Sequence, residues 1–200
     1  MDNTLSLKGI IKPETVIIDP SLPKNCKNLW VGTGLLIHEA LKHAYLKMTA
    51  DALEGNCMPI DEAYLILAGK LPVVRQKRTE IGRNQLLAKH NTALSLFGSL
   101  SQGIEGRLKV GFIGIPNKEG ECPHSMKIVR SAEKDLILLL AIINEWSNDC
   151  YLGKNTELGF GGLSAYWRVF KGDVDVGYIS LKQGVMESSI SFLTADDTCC

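Results

Sequence analysis

The residues of this chain best equipped for chemistry are four histidines, six cysteines, one early aspartate and a glycine-rich loop. The histidines (His38, His43, His90 and His124) form no H-E-x-x-H pair. His38 and His43 stand five apart and share a helix face poorly. The cysteines (Cys26, Cys57, Cys122, Cys150, Cys199 and Cys200) include no C-x-x-C pair, and the vicinal pair at the end is not a metal-ligand spacing. They read as reduced thiols of a cytosolic protein, so no metal and no other cofactor is expected. No G-x-S-x-G elbow, Walker loop or dinucleotide-binding G-x-G-x-x-G is present. Asp19, in the turn IIDP, is a lone acid, and Asp-Pro in a turn reads as structure. The expectation is a protein with no catalytic residues.

Two features point instead to phosphate. Residues 70–109 carry Lys70, Arg75, Lys77, Arg78, Arg83, Lys89, Arg107 and Lys109 against Glu80 and Glu105 only. Arg75, Lys77, Arg78 and Arg83 follow a proline without an apolar period, which suits an exposed loop able to neutralise phosphates or simply to be solvated. Beyond Gly172, Lys182 alone opposes Asp173, Asp175, Glu187, Asp196 and Asp197, so a chain of zero net charge is still a dipole. The second feature is the loop Gly159-Phe160-Gly161-Gly162. Its small profile would let a phosphate chain approach the main chain, and equally it would make a tight turn between helix and strand. Phe160 would stack on a base or anchor the loop in the core.

The elements that must position these residues are legible by period. Residues 5–18 are β-branched and aliphatic and read as a strand, with Pro13 at an edge or bulge. Thr33-Gly34 opens an amphipathic helix with Thr33 as its cap; Ile37, Leu41, Ala44, Met48 and Ala52 form its buried stripe, and His38 and Lys42 lie off it. A strand is expected over 63–68 and partial helix over 79–97. Alternation gives a strand from Arg107 to Ile115, and another is expected from Met126 to Arg130, with a loop between. Ser131 caps a second helix whose apolar run, Leu136 to Ile143, implies burial on nearly all sides. Strands over 164–170 and 174–181 follow, joined by a turn at Lys171-Gly172-Asp173.

This order of elements predicts one α+β domain over residues 1–200, of ferredoxin-like or RNA-recognition-motif-like type. Its antiparallel sheet would carry helices on one face, a basic segment inserted at about 70–105 and a loose tail at about 194–200. The hydrophobic share of 45% and charged share of 22% are those of a soluble globular protein. No run reaches the roughly 18–20 apolar residues of a membrane span, and no basic-then-apolar leader opens the sequence.

Four stretches, in order, resemble the backbone subunit of CRISPR effector complexes, the RAMP-superfamily protein that lines guide RNA, nearest its type IV or type III-like branch. VGTGLLIHEALKHAYLK resembles that family's turn and first helix, and TALSLFG with GRLKVGFIGIP its L-F-G motif and following strand. DLILLLAIINEW resembles the second core helix, and YLGKNTELGFGGLSAYWRV the glycine-rich loop and closing strand. The likeness spans roughly residues 5–182. It implies a non-enzymatic, prokaryotic cytoplasmic protein whose partners are guide RNA, target DNA or RNA reached through the guide, further copies of itself in a filament, and other effector subunits. Thr33, Gly34, His38 and Lys42 would meet the guide backbone. Arg75, Lys77, Arg78 and Arg83 would reach along the RNA or the next subunit, and Gly159, Phe160, Gly161 and Gly162 would lie against the sugar-phosphate chain. The sequence departs from the family in two places. The short loop between Ile115 and Met126 leaves no room for the family's long thumb hairpin, unless the 70–97 segment does its job, and Asp19 is the only near match to the aspartate with which some relatives cut RNA.

Overall fold

Alternation along the first strand divides the whole structure into two faces. In β1 (Leu5–Pro13), Leu5, Leu7 and Ile11 are buried while Lys8 and Lys12 are exposed, the period of two that a half-covered sheet requires. A computed structural model describes residues 4–15, 17, 33–54, 80–99, 102–111, 116–132, 134–153, 156, 161–182 and 184–191. The remaining elements are α1 (Thr33–Glu54), α2 (Glu80–Phe97), the short ribbon β2 (Gly98–Ser99) and β3 (Ile104–Glu105), β4 (Leu108–Val110), β5 (Cys122–Ile128), α3 (Lys134–Ser147), β6 (Leu163–Lys171), β7 (Val174–Lys182) and β8 (Val185–Ile190). Among the described residues six strands form one sheet in the order β4-β5-β1-β6-β7-β8, antiparallel throughout.

Within it, β1-α1-β4-β5-α3-β6 is a β-α-β-β-α-β unit with spatial order β6-β1-β5-β4, the ferredoxin-like arrangement, extended past β6 by the β7–β8 hairpin. The inward residues of β1, β5 and β6 join Ile37, Leu41 and Tyr45 of α1 and Leu139, Ile142, Ile143 and Trp146 of α3 in one core.

The centre of that core is built around a missing side chain. Gly9 of β1 pairs with His124 of β5 on one side and Trp167 of β6 on the other. The Trp167 indole, fully buried, reaches over it and donates from Nε1 to His124 Nδ1 at 3.1 Å. A Cβ at Gly9 would stand 1.9 Å from the Tyr166 carbonyl oxygen, so no other residue fits. Since an indole N–H only donates, Nδ1 must keep its lone pair and the imidazole is neutral with its proton on Nε2. Burial pushes the His124 pKa down to about 4, against an opposing pull from the Gly111 backbone.

A second polar tie closes the sheet onto the helices. Arg107 donates to both carboxylate oxygens of buried Asp135, at 2.5 and 3.2 Å, and also to Ser95 Oγ and the Arg130 carbonyl. Asp135 accepts the Ala132 amide as well. Burial raises its pKa, but the bonds from Arg107 and Ala132 outweigh this and hold the carboxyl below its ordinary value. Arg107, counted in the sequence among the cations of the basic middle, is therefore a structural strut between β4, α2 and α3.

Several expectations need correcting. Strand β5 starts at Cys122, inside the segment read as loop. Pro123 is the second residue of that strand and pairs with Ile10 of β1. Ser131 does not cap α3, which begins at Lys134 with Asp135 bonding back to Ala132. The α3 run is not buried all round, since Ile137 is 59% exposed. Helix α2 is continuous over its described length, and β8, mostly exposed but with Met186 and Ile190 packed against the core, is a strand additional to those expected. The expected strand at 63–68 and the tail at 194–200 lie outside the described residues.

Two outcomes follow from these ties. Arg107→Ala or Asp135→Ala alone should cost roughly 3 kcal/mol, each stranding a partner, while the double variant should lose less than the sum in a denaturant double-mutant cycle. For His124, the folded form stays neutral to about pH 4, whereas the unfolded imidazole takes its proton near 6.5. Its contribution is therefore complete above 6.5 and is lost as pH falls toward 4, at up to about 1.4 kcal/mol per pH unit. Urea unfolding at pH 7 and pH 5 should show that slope, and His124→Phe should flatten it.

Candidate nucleic-acid interface

The helices cover one side of the sheet, so the even-numbered residues of β1 and β6 and the odd-numbered ones of β5 face the other way. Three cross-strand rows result. The first runs Lys109, Lys127, Ser6, Phe170, Asp175. Next to it run Ser125, Lys8, Arg168, Tyr178 and Ser189. The third is Pro123, Ile10, Tyr166, Ser180, Glu187, with Lys12 beyond it on β1.

Diagonal neighbours on this face interact. Tyr166, 38% exposed, stacks beside Tyr178 with ring centroids 5.6 Å apart and planes 23° apart. The Lys8 ammonium sits 5.3 Å from the centroid of the Phe170 ring, a cation–π contact. Arg168 donates from Nε to Asp175 Oδ2 at 2.9 Å and again from Nη2, which fixes the guanidinium plane between the two aromatic positions. Those bonds, with a further one that Arg168 donates to Tyr166, raise the Arg168 pKa, and the bonds from Arg168 and the Gly177 amide lower that of Asp175.

Charge is graded across the face. Lys109, Lys127, Lys8 and Lys12 lie on β4, β5 and β1, whereas Asp175, paired with Arg168, and Glu187 lie on β7 and β8 together with the exposed Lys182. Lys109 is paired with Glu105. Aromatic rings among cations on an open antiparallel sheet can stack bases and neutralise phosphates.

The residues singled out from the sequence fall elsewhere. Thr33 and Gly34 open α1, Thr33 as its first helical residue rather than as the cap before it. His38 turns into the helix layer, meeting the Phe97 ring edge-on at 5.5 Å with Nδ1 3.5 Å from Glu39 Oε1. Lys42 is partly buried on the same helix, and Arg83 lies within α2. These positions belong to the helix layer and do not join the sheet face. Arg75, Lys77, Arg78, Gly159, Phe160 and Asp19 lie outside the described residues.

Gly161 and Gly162 are buried, and their polar groups are engaged inside the chain. The Gly162 amide donates to Thr15 Oγ1 at 2.7 Å, and its carbonyl accepts from the amides of Glu14 and Thr15. The Gly161 carbonyl accepts from the Leu152 amide at 3.0 Å. This half of the glycine loop clasps the end of β1 to the start of β6.

On the helix side, a cleft of about 590 Å³ between α1, α3, residues 151–153 and Thr156 includes Glu39, Glu145, Asp149 and Lys47. There Lys47 lies 3.0 Å from Glu145 and 3.8 Å from Asp149, so the charges answer one another. Among the described residues no helix is long and apolar enough to cross a membrane.

The outward Lys8-x-Ile10-x-Lys12 and Tyr166-x-Arg168-x-Phe170 patterns are present in the sequence as i, i+2 alternation. The signal that identifies them is the solvent side of each strand, where cations and rings recur at every second position, rather than the buried side that marks the strand itself.

No protein-family model matches the chain, and no curated protein matches it either. Among solved structures it is similar to a chain of the Csm3–Csm4 subcomplex in the type III-A CRISPR–Cas interference complex. That match has 14% identity and a TM-score of 0.42, and covers 96% of this chain and 90% of that one. It is also similar to Cmr6 from Pyrococcus furiosus, with 12% identity, a TM-score of 0.36 and coverage of 82% of this chain and 98% of that one.

The clasp makes a stability prediction. Gly161 has φ +86°, and a Cβ there would stand 2.0 Å from the Leu152 carbonyl oxygen. Gly161→Ala should lower stability by about 2 kcal/mol or more, read from the urea midpoint.

Proposed function

We propose that this chain is a guide-RNA-binding backbone subunit of a CRISPR ribonucleoprotein effector complex. Several copies would stack along one crRNA and hold it for pairing with target nucleic acid in defence against phages and plasmids. Within such complexes we place it nearest the type IV or type III-like branch, with other effector subunits as neighbours. The branch assignment rests on the four motif stretches and their order.

The observation that carries the chemistry is the open sheet face, where Lys8, Lys12, Lys127 and Arg168 surround Tyr166, Phe170 and Tyr178. Such a surface offers charge to phosphates and flat apolar groups to bases. In this reading the protein binds RNA without cleaving it. Sequence tolerance follows, because stacking and phosphate contacts carry little base identity and the guide does the reading by pairing.

Binding to single-stranded RNA should weaken steeply with salt. Replacing Lys8, Lys12 and Lys127 together by alanine should reduce the slope of log K against log salt by about 2, at roughly 0.7 for each phosphate no longer neutralised. Arg75→Ala with Lys77→Ala and Arg78→Ala measures the share of the basic stretch in the same titration. An unaltered slope in the sheet-face variant removes this face from the RNA site. RNA paired to its guide should remain intact with the parent chain and with Asp19→Ala alike, and cleavage lost in Asp19→Ala would make the protein a nuclease.

A further inference from the structure

The two outermost strands of the sheet differ in what guards them. At one side, β4 carries Lys109 at its middle. At the other, β8 runs for six residues, Val185–Ile190, with no lysine, proline or bulge, the devices that keep an edge from pairing. Among the described residues nothing pairs with its outer side.

The backbone shows which groups are on offer there. Opposed residues of an antiparallel ladder alternate between bonded and non-bonded pairs. The Ser191 amide donates to the Val176 carbonyl at 2.8 Å, one step beyond the pair of Gly177 with Ile190, so the odd-numbered residues of β8 are the ones that bond to β7. The N–H and C=O groups of Met186, Ser188 and Ile190 therefore point to the outer edge. Their side chains lie on the helix side of the sheet, as Met186 and Ser188 stand opposite buried Leu181 and Ile179. Met186 and Ile190 pack against the core there and are only partly covered.

We infer that β8 pairs with β8 of a second copy of this chain, antiparallel across a two-fold axis at Ser188, so that two sheets become one. In that register Ser188 lies opposite its counterpart, Met186 opposite Ile190 and Glu187 opposite Ser189. The three outward-facing residues of each strand then exchange about six backbone hydrogen bonds. Met186 and Ile190 come side by side on the helix side, each covering apolar surface that the other leaves open, and each Glu187 carboxylate gains a serine hydroxyl to accept from. Neighbouring registers are worse. An axis at Glu187 sets two carboxylates face to face, and an axis at Ser189 parts Met186 from Ile190. The strand is thus complementary to itself, which is what an isologous contact requires.

The axis stands perpendicular to the sheet, so the open faces of both copies lie on the same side and stay uncovered. Copies stacked in one direction along a strand of RNA are not related by a two-fold axis. This contact is therefore separate from that stacking, and it stands or falls without RNA. One strand pair buries little area, so the association depends on concentration.

Sedimentation velocity of the full chain without RNA, from about 1 to about 100 µM, should show monomer passing to dimer. Amide hydrogen exchange followed by NMR reads the register. The amides of Met186, Ser188 and Ile190 should gain protection as concentration rises, whereas those of Glu187 and Ser189, bonded to β7, should be protected throughout. Ser188→Lys, at an exposed side chain, sets two like charges opposite each other on the axis and should weaken association at least about tenfold. Ser188→Pro removes a donor that faces outward and should abolish pairing. The unfolding midpoint of Ser188→Lys should match that of the parent, which separates lost pairing from lost folding. A parent chain that stays monomeric at about 100 µM, a dimer that survives both variants, or exchange at the three outward amides that ignores concentration overturns the inference.

Discussion

The sheet depends on an absence at its centre. Three central strands meet where Gly9 lies between His124 and Trp167, and the space a Cβ would need is taken by the backbone of β6. Because Gly9 brings no side chain, the indole can cross β1 and bond the imidazole, tying β5 to β6 over a strand that pairs with both. The bond in turn selects the neutral imidazole, since a proton on Nδ1 would face the indole N–H instead of accepting from it. Packing, register and protonation state are here one constraint. It sits where a single-residue slip of β1 would turn Leu7 and Ile11 outward and Lys8 and Lys12 into the core.

That register is also what creates the candidate interface. Once β1 is locked with its aliphatic residues toward the helices, Lys8, Ile10 and Lys12 have to face out, and the same parity in β6 turns out Tyr166, Arg168 and Phe170. Core and surface are two readings of one alternation. The buried pair of Arg107 with Asp135 plays a supporting part, fixing β4 against α2 and α3 and keeping the helices on the opposite side from the cations. One cation thus serves the architecture, while others, carried by neighbouring strands, are left for a polyanion.

Much of the frame is legible in the sequence. The strands within residues 5–18, 164–170 and 174–181 and the helices starting near 33 and 134 follow from period and turn chemistry, and their order implies the ferredoxin-like arrangement that the sheet order displays. The errors share a cause. Cys122-Pro123 reads as loop because proline is rare in central strands, whereas the structure pairs both residues with β1. Ile137 reads as core because a run of aliphatic residues does not reveal how many neighbours the helix will have. Nor does anything in the segment of the first helix show α2 packing beside it, where Phe97 meets His38 and Tyr45 donates to the Lys89 carbonyl.

Local chemistry along the chain thus determined which segments become strands and helices and which residues alternate, because those preferences act over a few neighbouring positions. Only the tertiary structure decided what lies beside what. That Lys8 meets Phe170, that Tyr178 flanks Tyr166, and that Arg107 ends on a buried carboxylate all join residues that are not neighbours in sequence. Such pairings come from strand order and register, which no short window of sequence contains.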